Sequence, residues 1–302
     1  MTKEPNRGPV AVTGATGNQG GATARRLLAG GWPVRALVRD KASPAAAALA
    51  DAGAELAVAD FDEPSSLLPA LAGTTALFAV PPTTYSRSGG NPELEFIRSK
   101  ALADAAVAAG VRQVVFTGVA STSGEAFAAP AKRRTEQYLR EHLPLVTVLR
   151  PVRFMTNYFW SSGIGLDGFV DGVHRHLFPP DEPVQAIALE DIAEFAVLAF
   201  EQPERFAGRT LELAGDDLTP VEAVAAIGAA TGVEVRYEQL THDEAAALSP
   251  QIAETRQRWI SGQRWHADIE ALRVIHPGLR TLADWLAESG AAALRSVLLG
   301  RN

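Results

Sequence analysis

The 302-residue chain has no cysteine, which excludes disulfides, a thiol nucleophile, thiolate metal sites and thiol-based redox sensing. Positive charge is also scarce. Lys and Arg number 28 against 35 Asp and Glu, a formal charge of −7, so no global positive field exists to hold a phosphate backbone and nucleic acid is not an expected partner. No uninterrupted apolar run reaches the ~18 residues of a spanning helix. The polar start, with Pro5 and Pro9, lacks the apolar stretch of a signal peptide. A cytoplasmic protein with no membrane partner is expected. What is present is 47% hydrophobic and 21% charged residues, the balance of a globular protein with a large core.

From Val10 the chain alternates short apolar or β-branched runs with alanine-rich helical runs, the rhythm of βαβ units and a parallel sheet. Strands are expected at Val10–Thr13, Val34–Val38, Glu55–Val58, Ala76–Val80, Gln113–Thr117 and Leu145–Leu149. Helices are expected at Gln19–Ala29, Pro44–Ala52, Ser65–Leu71, Pro92–Ala109 and Lys132–Glu141. Gly31, Gly53, Gly73 and Gly110 each follow a helical run and precede a strand, where helices stop. After Arg150-Pro151 the regularity loosens, and Ser161–Gly165 and Phe178–Asp181 read as irregular or lid-like. Strands near Val184–Ile187, Thr210–Leu213 and Val233–Tyr237 and helices from Asp191 and Val221 follow. The expected fold is α/β: a Rossmann-type doubly wound parallel sheet over residues 1–152, completed by segments within 181–240, with a smaller mixed α/β lobe over 153–302 interleaved with it.

Gly14-Ala15-Thr16-Gly17-Asn18-Gln19-Gly20 leaves the first strand and opens a helix, which sets backbone N–H groups and the positive helix end against a diphosphate. The bland alternative is a tight corner, and the strand-loop-helix context argues against it. The second strand ends Leu37-Val38-Arg39. An arginine there receives a 2′-phosphate, where an acidic residue would receive a ribose hydroxyl, so NADP(H) is expected over NAD(H). A merely solvated Arg39 is the alternative, and Asp40 reads as a cap for the next helix. Asp60-Phe61-Asp62 follows the third strand, with Asp62 read as a helix cap.

Thr13–Gly20, Val38-Arg39, Lys132 with Glu136–Leu139, Leu149–Pro151 ahead of Phe154–Asn157, Leu189–Ala193, Ala214–Thr219 and Leu282–Leu286 resemble the NmrA-like family, an atypical branch of the short-chain dehydrogenases, over nearly the whole chain. That family holds NADPH-dependent reductases of quinones and benzylic ethers, and regulators that bind NADP without evident turnover. The resemblance implies that Gly14, Thr16, Gly17, Asn18, Gln19 and Gly20 hold the diphosphate and Arg39 the 2′-phosphate. It sets Asp60 and Phe61 by the adenine, Val80 and Pro81 by the ribose and nicotinamide, Lys132 by the nicotinamide ribose, and Phe154 to Asn157 over the nicotinamide end.

Ordinary short-chain dehydrogenases carry a tyrosine four residues before the active-site lysine; here that position is Ala128, so no phenol acts from it. Lys132 is the remaining acid/base candidate, with simple ribose binding as its alternative. Val119 stands where the usual serine would align, and Thr117 and Ser121 read as strand-end and turn residues before they read as substitutes. Tyr85, Tyr158 and Trp160 are substrate-pocket candidates, and Phe154, Phe159 and Trp160 could wall a flat ligand, though each also suits ordinary packing. His174 and His176 form a loop pair too sparse for a metal, and no metal is expected. Glu190-Asp191 reads as a helix start, and Arg133-Arg134 beside Glu136 as a solvated helix face. The expected protein is a monomer or homodimer that reduces a small aromatic or quinone-like substrate with NADPH. The alternatives are a non-catalytic NADP(H) redox sensor and, third, a DNA binder, which the acidity opposes.

Overall fold

A computed structural model of the chain describes residues 8–82, 90–122, 129–159 and 166–300. The first half contains β1 (Val10–Val12), α1 (Asn18–Ala29), β2 (Val34–Val38), α2 (Pro44–Asp51), β3 (Glu55–Val58), α3 (Leu67–Leu71), β4 (Ala76–Ala79), α4 (Pro92–Ala108), β5 (Gln113–Thr117), α5 (Pro130–His142) and β6 (Leu145–Pro151). The second contains β7 (Arg153–Phe154), β8 (Val173–His176), β9 (Val184–Ile187), α6 (Leu189–Glu201), α7 (Pro203–Phe206), β10 (Thr210–Leu213) and β11 (Asp216–Leu218). It ends with α8 (Pro220–Thr231), β12 (Arg236–Gln239), α9 (His242–Leu248), α10 (Pro250–Ile260), α11 (Ile269–Ile275), α12 (Leu282–Trp285) and α13 (Ala291–Leu298).

Seven strands form one parallel sheet in the order β10-β6-β5-β4-β1-β2-β3. This is the doubly wound order with its reversal between β1 and β4, so the expected Rossmann-type α/β fold is what the chain forms. Strands of such a sheet are covered on both faces and read as unbroken apolar runs, as in Val10-Ala11-Val12 and Ala76-Leu77-Phe78-Ala79, all buried. Side chains alternate between the two layers. Val10, Val12 and Phe78 pack with Leu27 of α1, Leu49 of α2 and Phe195 of α6, whereas Ala11 and Leu77 pack with Leu71 of α3, Leu102 of α4 and Leu139 of α5. Burying each large side chain contributes about 1.5–3 kcal/mol.

The lobe adds two small sheets, β11-β9-β7 and β12-β8, over a core of Met155, Tyr158, Ile227, Trp285 and Leu294. It is tied to the main sheet by Asp191 in the first turn of α6. That carboxylate is fully buried and accepts from Arg280 Nη1 at 2.6 Å and Arg280 N at 3.0 Å. Glu190-Asp191 does start a helix, as expected. Two expectations need correction. His174 and His176 lie on a strand, not a loop, and the strand expected near Val233–Tyr237 lies at Arg236–Gln239, because its register is set by pairing with that same β8. No helix among the described residues is long and apolar enough to cross a membrane.

Candidate functional site

At the end of β1 the Thr13 hydroxyl accepts from Val80 N at 2.7 Å and donates to Val80 O at 3.1 Å, locking together the two strands between which the sheet order reverses. Gly14 then turns with φ +59°, a conformation that favours glycine. At Gly20 a Cβ would lie 2.3 Å from Gly14 O and 2.5 Å from Thr13 O, so only glycine lets α1 pack this close to the loop. Helix α1 follows Gly17, which offers no side-chain cap, and has no acidic residue in its first turn. Its first amides therefore meet neither a capping side chain nor a competing charge. A diphosphate fits such a bare helix start, whose floor would be filled by a Cβ.

Gly14, Thr16, Gly17, Asn18, Gln19, Gly20, Arg39, Asp60, Phe61, Val80, Pro81 and Phe154 line a single cleft of about 570 Å³. Leu37, Val38, Ala59, Asp62, Pro82 and Arg98 complete it. Lys132 and Asn157, also expected at the cofactor, are not among the lining residues. Asn157 sits in a 3-10 turn, its carbonyl accepting from Gly168 N at 3.0 Å. Arg39 is exposed at the end of β2. Asp40 folds back on itself, its Oδ1 accepting from Ala42 N at 2.8 Å, and Ser43 rather than Asp40 caps α2. Asp62 is not a cap either: its Oδ1 accepts from Arg98 Nε at 2.9 Å, because the 3-10 turn at Pro64–Ser66 starts from Glu63 with no side-chain cap. Arg98 and the role of the Thr13 hydroxyl went unread in the sequence. Thr13 carried a signal in its place just before the glycine loop, whereas nothing local connects Arg98 to a residue 36 positions earlier.

Lys132 sits near the start of α5, and its Nζ lies 2.5 Å from Glu95 Oε1 of α4, both side chains largely buried. Thr117 Oγ1 is buried without a partner. Ser121 is spoken for: its Oγ donates to Glu212 Oε1 at 2.6 Å and accepts from Arg133 Nη2 at 2.6 Å, and its N donates to Glu212 Oε2 at 2.9 Å. The expected solvated face at Arg133–Glu136 is only partly one. Arg134 is exposed and pairs with Glu93 at 2.5 Å, while Glu136 is buried and accepts from Arg150 Nε at 3.0 Å.

Behind Phe154 the neighbouring Arg153 enters the lobe, as alternation along a strand requires. It pairs with Asp167, donates toward His176 Nε2 at 3.2 Å and lies over the Tyr158 ring at 5.3 Å. Burial pushes the Asp167 carboxyl up, but Arg153 and His176 together outweigh it and hold the group well below the usual range. Burial and then Arg153 lower His176 to about 4 and His174 to about 3. Tyr158, a pocket candidate, is buried in this cluster against Phe169 and His174, and Phe159 packs on Trp285. Tyr85, Trp160 and Ala128 lie outside the described residues. Among the described residues, no group of three or more His, Asp or Glu is arranged to hold a metal ion.

The sequence profile of the NmrA-like family matches residues 6–270. The chain is 31% identical to the NmrA-like family domain-containing oxidoreductase FrzB of Cladobotryum sp. over 257 residues, 76% of this chain and 75% of that one. It is 31% identical to an NAD(P)H azoreductase of Xenophilus azovorans, over 78% of each chain. Among solved structures, an NADPH-dependent quinone oxidoreductase from Escherichia coli superposes with a TM-score of 0.69 at 25% identity, covering 92% of this chain and 98% of that one.

Proposed function

This chain belongs to the NmrA-like family, and on that premise we propose that it is an NADPH-dependent reductase of a small aromatic or quinone-like acceptor that works without the usual phenol. The observation that carries the reading is the cleft itself, with a bare, acid-free helix start at one end and an exposed arginine at the end of β2. The relatives support the reaction class, being named as oxidoreductases and an NAD(P)H azoreductase. Bound NADPH supplies the hydride. The residues do the rest. The amides of Asn18, Gln19 and Gly20 hold the diphosphate, while that of Gly17 closes the loop on Gly14 O at 2.9 Å; Arg39 holds the 2′-phosphate, and Thr13 keeps Val80 and Pro81 in place beside the sugar. Phe154 covers the nicotinamide end, while Arg153, anchored in the lobe, fixes the strand that carries it. Lys132 Nζ is paired with Glu95 and does not line the cleft, so it can donate a proton only by leaving that pair, and a quinone takes its proton from water without it.

The test has two parts. Calorimetry with NADP⁺ and NAD⁺ on the wild type and on Arg39→Ala should show a preference for NADP⁺ that the variant loses by about tenfold or more, the scale of a charge-assisted contact. NADPH consumption should depend on added quinones or azo compounds. Equal affinity for the two cofactors in the wild type would refute the NADP assignment, and no acceptor-dependent consumption across a broad panel would refute the enzyme. A second reading, a sensor without turnover, is favoured by the engagement of Lys132 with Glu95, neither of which lines the cleft. It requires unequal affinities for NADP⁺ and NADPH.

A further inference from the structure

The cleft holds a second cation that the scheme above leaves without a task. Arg98, half-buried on α4, donates from Nε to Asp62 Oδ1 at 2.9 Å and from Nη2 to the same oxygen, and both residues line the cleft. The pair bridges the turn after β3 to α4. Arg39 leaves β2 toward α2, which covers one face of the sheet with α1 and α6, whereas α4 covers the other face with α3 and α5. The two arginines thus come to the cleft from opposite faces. They also differ in charge balance: Asp62 pairs with Arg98, and Ala59 and Phe61 line the same cleft.

A planar guanidinium whose charge is already paired with a carboxylate, and whose orientation that pair fixes, is poorly suited to a phosphate and suited to stacking on the face of a neutral heteroaromatic base. We propose that Arg98, held in plane by Asp62, is the stacking platform for the adenine of the bound dinucleotide. It makes affinity depend on the base, whereas Arg39 makes it depend on the 2′-phosphate. The inference rests on the nucleotide reading given above.

Calorimetry with three probes separates these roles: NADP⁺, NAD⁺, and ADP-ribose, which has the base and diphosphate but neither 2′-phosphate nor nicotinamide. Arg98→Ala should weaken all three by the same factor, about five- to tenfold, the scale of a partly desolvated cation–π contact. Arg39→Ala should weaken NADP⁺ alone. Arg98→Lys, which keeps the charge but not the plane, should behave like Arg98→Ala and also covers the case that the alanine variant folds poorly. Loss confined to NADP⁺ would overturn the proposal by making Arg98 a phosphate ligand. Unchanged binding of all three in Arg98→Ala, or full recovery in Arg98→Lys, would overturn it by leaving Arg98 only a brace or a point charge. Failure of the wild type to bind any probe would overturn the nucleotide reading as well, a result distinct from the others.

Discussion

Helix α8 closes its own N-terminus, whereas helix α1 leaves its own open. Thr219 and Glu222 form a reciprocal capping box at α8, and Thr241 with Glu244 and Thr281 with Asp284 do the same at α9 and α12. Helix α1 has a glycine at that position, no side-chain hydrogen bond and no acid in its first turn. The same physics is answered by the chain itself at these three lobe helices and left open at the cleft, where the proposed ligand would answer it. The contrast extends inward. The lobe pairs its buried charges with one another, Arg153 with Asp167 and Asp191 with Arg280, while Arg39 stands exposed at the cleft. The sheet region pairs its buried charges too, as Lys132 with Glu95, and α5 also starts without a cap. What sets α1 apart is that its open start lines the cleft, which on the proposed reading is the region that works, against a lobe that holds.

The strongest way to break this comparison is at the open helix start. Gly20→Ala places a Cβ 2.3 Å from Gly14 O with backbone on every near side, so the loop must move. Stability should fall by about 3 kcal/mol, the cost of a severe overpacking. NADP⁺ affinity should fall more than a hundredfold, because the amides no longer converge. Thermal melting and calorimetry check both. If the affinity survives the clash, the loop does not hold the diphosphate.

The closed lobe answers to pH instead. Unfolded, His174 and His176 bind protons near pH 6.5; folded, burial and Arg153 hold them at about 3 and about 4. The unfolded chain therefore binds more protons between those limits, and stability falls as pH drops below about 6.5. His176 alone, moved from 6.5 to about 4, accounts for about 3 kcal/mol of loss by pH 4 at 1.36 kcal/mol per unit. Asp167, held below its ordinary 3.8 once Arg153 and His176 outweigh the cost of its burial, extends the same trend to lower pH. Urea titrations from pH 7 to pH 4 should show this slope in the wild type and a shallower one in His176→Gln. Parallel slopes would mean that the acid response lies elsewhere.

The two regions also differ in how far they can be read from sequence. β2, β3 and β5 fall at the expected residues, and Gly31, Gly53, Gly73 and Gly110 all take positive φ where helices end. Each of these signals is local: a buried parallel strand is an apolar run, and a helix stop is a glycine. Most of the cleft was legible for the same reason, since its residues sit at strand ends and on one loop. The lobe was not. β8 reads Val-His-Arg-His, with no apolar alternation, and exists because it pairs with β12 and because Arg153 and Asp167 supply partners for buried imidazole. β12 starts three residues and ends two residues later than expected, for want of that partner. The bridges from Asp62 to Arg98 and from Lys132 to Glu95 each join residues more than thirty positions apart, a distance at which periodicity carries no information.

The smallest expected effect is the sharpest discriminator, because it separates a cap that only holds from a helix start that binds. At α8, Thr219 Oγ1 accepts from Glu222 N at 3.2 Å, and Glu222 Oε2 accepts from Thr219 N at 3.0 Å. Thr219→Ala removes the first bond and leaves an amide to water, at a cost of about 1 kcal/mol. The lobe core under α8, with Ala223 and Ile227, stays in place, so the loss should be confined to stability, with NADP⁺ affinity unchanged within about twofold. An affinity that falls in step with stability would show that the lobe's closed caps and the open start of α1 form one coupled system. The division between a region that holds and a region that works would then be false.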